Sequence, residues 1–183
     1  MNRPEALELL HEYTQSESLR KHAYAVEAAM RAYARKLGED EELWGVVGLL
    51  HDFDYERWPT LGEHPFKGAE VLRERGVSEE IVLACLSHWP PSGVPRDVPI
   101  RKALLAVDEL AGFIIAVALV RPSKRLADVE VKSVKKKMKD KAFAAAVSRE
   151  DIQQGAEEMG VGLDEHIETV LEGMKQEAEA LGL

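Results

Sequence analysis

The apolar residues of this chain recur at helical spacing along nearly its whole length. No stretch alternates apolar and polar residues for long enough to predict a strand. Thr14 and Glu17 have the spacing of a capping box, and the Ala-rich helix that follows ends at Gly38. The pattern therefore predicts an all-α protein. The predicted helices cover approximately residues 17–37, 39–53, 65–76, 78–88, 100–120, 126–147, 148–159 and 163–181.

Two segments of the chain need separate interpretation, a proline-rich one and a strongly apolar one. Residues 89–99 contain four prolines and are predicted to be a loop. The most apolar stretch, residues 103–120, contains Asp108 and Glu109, which are costly to place in lipid. It is therefore predicted to be a core helix. After Pro122 the chain becomes rich in lysine, and a length of 183 residues suits a single domain.

Composition and charge narrow the classes of partner. The chain is 45% hydrophobic and 31% charged, as in soluble globular proteins, and its formal net charge is -9. This charge argues against general binding of nucleic acid or of an anionic membrane. A single cysteine, Cys85, excludes an intramolecular disulfide and is expected to be a buried structural thiol. The N-terminal residues do not resemble a signal peptide, so a cytoplasmic location is expected.

The candidate chemistry begins at His51-Asp52, directly after the apolar run 43–50. A carboxylate is costly to bury there without a partner or a metal, and Asp108 raises the same question. His22, His64 and His88 each lie on a further helix or helix end, from which a bundle can bring side chains together. Imidazole and carboxylate ligands favour Fe, Mn, Co, Ni or Zn, with Mg also possible. Six ligands suit two metals about 3.5–4 Å apart, with Asp52 as a bridging carboxylate.

The ordered pattern His, His-Asp, His, His, Asp over residues 18–112 resembles the HD superfamily of metal-dependent phosphohydrolases. The segment His64-Pro-Phe-Lys-Gly-Ala is similar to the corresponding segment of the two-metal branch. A GYP signature is absent, which disfavours a cyclic-dinucleotide phosphodiesterase. The resemblance implies an HD-type helical bundle, with residues 1–121 as a metal-binding core and 122–183 as C-terminal helices packed on the same domain. It also implies the ligands: His22, His51, Asp52 and Asp108 for the first metal, and His64 and His88 for the second.

This resemblance implies a metal-dependent phosphohydrolase, either a phosphomonoesterase or a phosphodiesterase. The expected substrate is a small phosphorylated molecule, with a nucleotide favoured, attacked by a metal-activated water. Two alternatives stay open: a di-iron oxygenase of the same fold acting on a small polar or phosphonate substrate, and a regulatory module without activity. Asp54 and Lys67 are expected to act in catalysis beside Asp52. Lys67, Lys124 and Lys135 are the expected substrate-binding cations.

Simpler structural roles compete with several of these assignments. Asp54 can instead be a solvated loop acid, and the lysines after residue 130 can form a solvated helix face. His11 and His166 fall outside the ligand pattern and are expected to be solvated. Trp58 or Trp89 can stack on a substrate or can belong to the core. The pattern predicts no oligomeric state.

Overall fold

The computed structural model describes all 183 residues and contains only helices, which confirms the all-α prediction. Two short 3-10 helices, Pro90–Ser92 and Leu126–Asp128, accompany ten α-helices. The α-helices are α1 (Arg3–Tyr13), α2 (Glu17–Leu37), α3 (Glu41–Leu50), α4 (Phe66–Glu74), α5 (Glu79–Ser87), α6 (Pro99–Leu119), α7 (Val131–Met138), α8 (Arg149–Glu158), α9 (Leu163–Gln176) and α10 (Ala178–Leu181). No helix combines the length and the apolar character that crossing a membrane requires.

Helices α2 and α6, with 21 residues each, form the centre of the bundle and pack on one another. α2 also contacts α3 and α9, while α6 also contacts α5 and α8. The approach of α3 to α2 is very close at Gly48, where an added Cβ would lie 2.8 Å from both the Cα and the N of Glu27. The absence of a side chain at this position therefore lets the C-terminal end of α3 pack against the middle of α2.

The N-terminal region differs from the prediction. The capping box lies at Asn2 and Glu5, where it starts a helix, α1, that the sequence pattern did not predict. The expected box at Thr14 is wrong, because the Thr14 hydroxyl donates to the Phe53 carbonyl and α2 starts after Ser16 without a side-chain cap. Thr14 thus ties the α1–α2 connection to the turn that follows α3.

The long lysine-rich helix predicted over 126–147 is also wrong. Only Val131–Met138 is α-helical, Leu126–Asp128 is a 3-10 helix, and residues 141–146 form turns, with Ala144 at a φ of 44°. The ring of Phe143 packs edge-on against Phe113, with centroids 5.5 Å apart. The Arg149 guanidinium donates to several carbonyls of these turns, including that of Val147. Tertiary packing and this replacement of helical hydrogen bonds outweigh the local helix preference.

His166 is buried, so the expectation that it is solvated is wrong. Its Nε2–H donates to the carbonyl of Ala106 at 2.8 Å, and its Nδ1 accepts from the Tyr33 hydroxyl at 2.6 Å. These two bonds connect α9 to α6 and to α2. Cys85 is buried as predicted.

Candidate metal centre

The six predicted ligands come together at one place, although they come from five separate parts of the fold. α2 and α6 each supply one ligand from within a helix, and the others stand at helix ends or in the turns beside them. They form two groups of three, and within each group the ligand atoms lie within 4.8 Å of one another. The groups are His22, His51 and Asp108, and Asp52, His64 and His88.

Asp52 stands between the two groups. Its Oδ2 is 3.5 Å from Nε2 of His51, which belongs to the first group. Its Oδ1 is 3.2 Å from Nε2 of both His64 and His88, in the second. The two oxygens of one carboxylate thus face different groups, which is the arrangement that a bridging ligand requires.

Hydrogen bonds on the far side of each ring orient the histidines. Nδ1 of His51 lies 2.7 Å from the Gly48 carbonyl, and Nδ1 of His88 faces the Cys85 carbonyl. Because a carbonyl can only accept, both Nδ1 atoms carry hydrogen, and in the neutral rings Nε2 presents a lone pair to the centre. Nε2 of His51 is buried and has no hydrogen-bond partner.

The second group also contains nitrogen atoms that a cation would stabilise. Nε2 of His64 and Nε2 of His88 lie only 3.2 Å apart. In neutral rings these are two facing lone pairs, which a shared positive charge would stabilise. Nitrogen and oxygen donors of this kind fit divalent transition metals, and the two groups together fit a dinuclear site.

The charges at the centre keep its carboxylates ionised. Burial acts to raise the pKa of Asp52, but His51 and the other two nearby histidines hold that pKa well below its usual range. Burial acts likewise on Asp108, and His51 and His22 keep its pKa low as well. Burial acts to lower the pKa of His64, yet hydrogen bonds to Asp52 and Asp54 raise it to about 9. The metal-free centre therefore attracts positive charge.

Asp54 is buried, so its alternative reading as a solvated loop acid is wrong. Its Oδ1 accepts from Nδ1 of His64 at 2.8 Å, and its Oδ2 accepts from the backbone N–H of Gly68 at 2.8 Å. The carboxylate thus orients a predicted ligand and joins it to the first turn of α4. These contacts are those of a group that orients His64, and the catalytic role of Asp54 stays a prediction.

The three predicted substrate-binding lysines do not lie beside the ligands. The ammonium of Lys67 pairs with Glu70 on the exposed side of α4. Lys124 is exposed in the loop after α6, and Lys135 pairs with Asp164 at the start of α9. The tertiary structure therefore directs these cations away from the centre.

A cavity of about 520 Å³ opens beside the second group of ligands. Trp89 lines it, whereas Trp58 packs near Tyr13, with ring centroids 5.9 Å apart. The sequence interpretation did not assign a site role to four further residues, since they belong to no recognised motif. These lining residues are Arg96, Glu109, Asp151 and Gln154.

Comparisons with known proteins agree with this geometry. Residues 19–110, about half of the chain, match the HD domain. An uncharacterized protein of Methanocaldococcus jannaschii is 34% identical over 87 residues, which are 48% of this chain and 50% of that protein. The chain thus spans about half the length of this curated relative. No solved structure matches it. From the matched segment, the all-helical fold and the paired His/Asp groups, we conclude that the chain belongs to the HD-domain family, a superfamily of metal-dependent phosphohydrolases.

Proposed function

We propose that this protein hydrolyses a phosphoester bond in a small phosphorylated substrate. The observation that carries the proposal is the division of the Asp52 carboxylate between two groups of ligands, directly beside a cavity. A cavity of about 520 Å³ has the size of a small-molecule site. Nucleoside monophosphates are among the substrates that this volume admits.

In this proposal, each ligand group holds one divalent cation. His22, His51 and Asp108 would hold the first, His64 and His88 would hold the second, and Asp52 would be a ligand shared by both. Iron, manganese, cobalt, nickel and zinc suit these donors, and magnesium is a further candidate. The hydrogen bonds of the Nδ1 atoms of His51, His64 and His88 support this assignment, because they orient each ring with its Nε2 towards the centre.

When bound, two divalent cations supply charge neutralisation at the phosphoryl oxygens and acidify a water molecule. The protein holds the substrate beside them in the cavity, and Asp54 keeps His64 in orientation. In the reaction the oxygen of water bonds to phosphorus and the phosphorus–oxygen ester bond breaks. The alcohol oxygen leaves with the bonding electrons and receives a proton. No side chain needs to act as nucleophile.

The test begins with metal analysis of protein purified without chelators. We expect close to two metal ions per chain, and release of phosphate or of a phosphomonoester from a panel of phosphoesters under anaerobic conditions. Asp52→Ala should lose metal and activity, whereas His11→Ala, which changes an exposed histidine outside the centre, should retain both. Lack of hydrolysis with every candidate metal would refute the proposed reaction. Two metals retained in Asp52→Ala would contradict the bridging role.

We also infer that residues 1–121 and 122–183 form one domain, as the sequence suggested. A continuous core of 43 buried apolar residues runs from Ala6 to Leu181 and so includes both parts. Gly155 of α8 lies so close to α6 that an added Cβ would be 2.4 Å from the Cα of Ala106. Such contact supports folding as a unit.

A further inference from the structure

The cavity beside the metal centre has one wall, formed by α6 and α8, that presents several free hydrogen-bond acceptors. Oε2 of Glu109 accepts from the N–H of Ser148 at 3.0 Å, and its other oxygen has no protein partner. The Asp151 carboxylate makes no hydrogen bond or ion pair within the protein. Gln154 donates one amide N–H to Glu158, and its amide oxygen accepts no hydrogen bond within the protein. We call Glu109, Asp151 and Gln154 the acceptor wall.

No arginine or lysine side chain forms an ion pair with the acceptor wall, although the charge of Arg96 attracts that of Asp151 without direct contact. Arg96 is the one such residue that lines the cavity, and Glu158 binds its Nε and one terminal nitrogen at 2.8 Å each. This bidentate pair satisfies both charges. The cavity therefore has no unpaired arginine or lysine that could hold a second phosphate group.

The acceptor wall and the metal centre have opposite electrostatic character. Two divalent cations with Asp52 and Asp108 as ligands would leave a net positive centre, which suits one phosphate dianion. The carboxylates of Glu109 and Asp151, on the other hand, would repel a further anionic group. They would attract ammonium or hydroxyl donors on the remainder of the same molecule.

We propose that the acceptor wall selects phosphomonoesters whose alcohol part carries ammonium or hydroxyl groups and no second anionic group. The inference rests on the proposed function, which supplies the position of the phosphate. It assigns substrate selection to Glu109 and to two residues of α8. Helix α8 lies outside the segment that matches the HD domain. Nucleoside diphosphates, nucleoside triphosphates and phosphorylated carboxylic acids are disfavoured.

Binding can be measured separately from turnover with phosphonates, whose carbon–phosphorus bond resists hydrolysis. 2-Aminoethylphosphonate and propylphosphonate have the same shape and differ in one ammonium group. Calorimetric titration of the Mn²⁺-loaded protein under anaerobic conditions should give a Kd at least tenfold lower for the aminoethyl compound. Equal or tighter binding of the propyl compound, or binding of neither compound, would overturn the proposal. Glycerol phosphate competing better than propyl phosphate would assign part of the selectivity to hydroxyl groups, and the reverse order would exclude them.

Asp151 is the most informative position because its side chain has no partner whose loss would disturb the fold. Asp151→Asn should lower the preference for the aminoethyl compound about fivefold, which is near the upper range for a partly exposed ion pair. Glu150→Gln removes the same charge from the neighbouring exposed residue and should leave the preference unchanged. A preference that persists in both Asp151→Asn and Glu109→Gln would refute the role of the acceptor wall.

Turnover of the corresponding phosphates separates this inference from the proposed function. Hydrolysis of propyl and 2-aminoethyl phosphate at equal kcat/KM would refute the selectivity and leave the phosphohydrolase activity standing. Selective binding of the phosphonates without hydrolysis of any phosphoester would refute the activity and leave the acceptor wall standing.

Discussion

His166 is expected to make the stability of this protein depend on pH through its burial between three helices. In the folded protein, desolvation lowers the pKa of His166 from its ordinary 6.5 to about 4, and the hydrogen bond to the Ala106 carbonyl only partly opposes this effect. The unfolded chain binds a proton on this ring at a higher pH than the folded one. The contribution is therefore fully present above pH 6.5 and is lost as the pH falls towards 4.

The size of the effect follows from the two pKa values. A tenfold change in proton affinity corresponds to about 1.4 kcal/mol, so a decrease from 6.5 to about 4 corresponds to about 3 kcal/mol in the free energy of unfolding. His166→Gln removes the titration but retains an amide that can donate to Ala106 and an oxygen that can accept from Tyr33. The variant can be somewhat less stable than the wild type at pH 7. Between pH 7 and pH 4, the free energy of unfolding of the variant should rise by about 3 kcal/mol relative to that of the wild type.

Urea unfolding of both proteins, in chelator and at several pH values between 7 and 4, measures this difference. All other titrating groups, including the metal ligands, are common to both proteins, so their contributions cancel in the difference. His11→Gln serves as a control, because His11 is exposed and its variant should follow the wild type much more closely. Curves for wild type and His166→Gln that stay parallel over the whole range would refute the reasoning.

Three further predictions concern the metal centre and its support. Asp54→Asn replaces one carboxylate oxygen by an NH₂ group, which cannot accept, so the bond from His64 or the bond from Gly68 is lost. The affinity for the second cation, measured by calorimetric metal titration, should therefore fall 10- to 100-fold. Unchanged affinity would remove Asp54 from its positioning role. Gly48→Ala forces a Cβ against the backbone of Glu27 and should cost about 1–3 kcal/mol in urea unfolding, whereas an equally stable variant would show that α2 and α3 separate easily. Removal of metal by a chelator should lower the Tm, and free Mn²⁺ at 100 times its Kd should restore about 2.7 kcal/mol of stability. A Tm that does not change with metal would argue against a resident ion.

Much of the fold could be predicted from the sequence because local patterns encode it. Apolar residues at helical spacing specify most of the helices, and the glycine at position 38 ends α2 in a left-handed conformation as expected. The helix over 126–147 was predicted too long because packing of Phe143 and the bonds of Arg149 decide that region. Local propensity contains neither of these contacts.

The candidate ligands were also recognisable locally, because each combines a chemically distinctive residue with a recognisable place at a helix end or in an apolar helix. His51-Asp52 after an apolar run, and Asp108 inside another, are costly unless something binds them. His166 was wrongly expected to be solvated because it is a histidine that falls outside the ordered pattern of ligand residues. Its burial depends on α9 packing against α2 and α6, which the order of residues does not reveal.

The sequence by itself thus determined the helical class and the set of six residues that meet at the centre. Only the tertiary structure decided that the two oxygens of Asp52 face different groups, that Asp54 orients His64, and that the predicted lysines point elsewhere. It also decided that the acceptor wall borders the cavity. The physical reason is that residue type and helical periodicity are local properties. Distances between side chains, and the pairing of one charge with another, arise only when distant helices pack together.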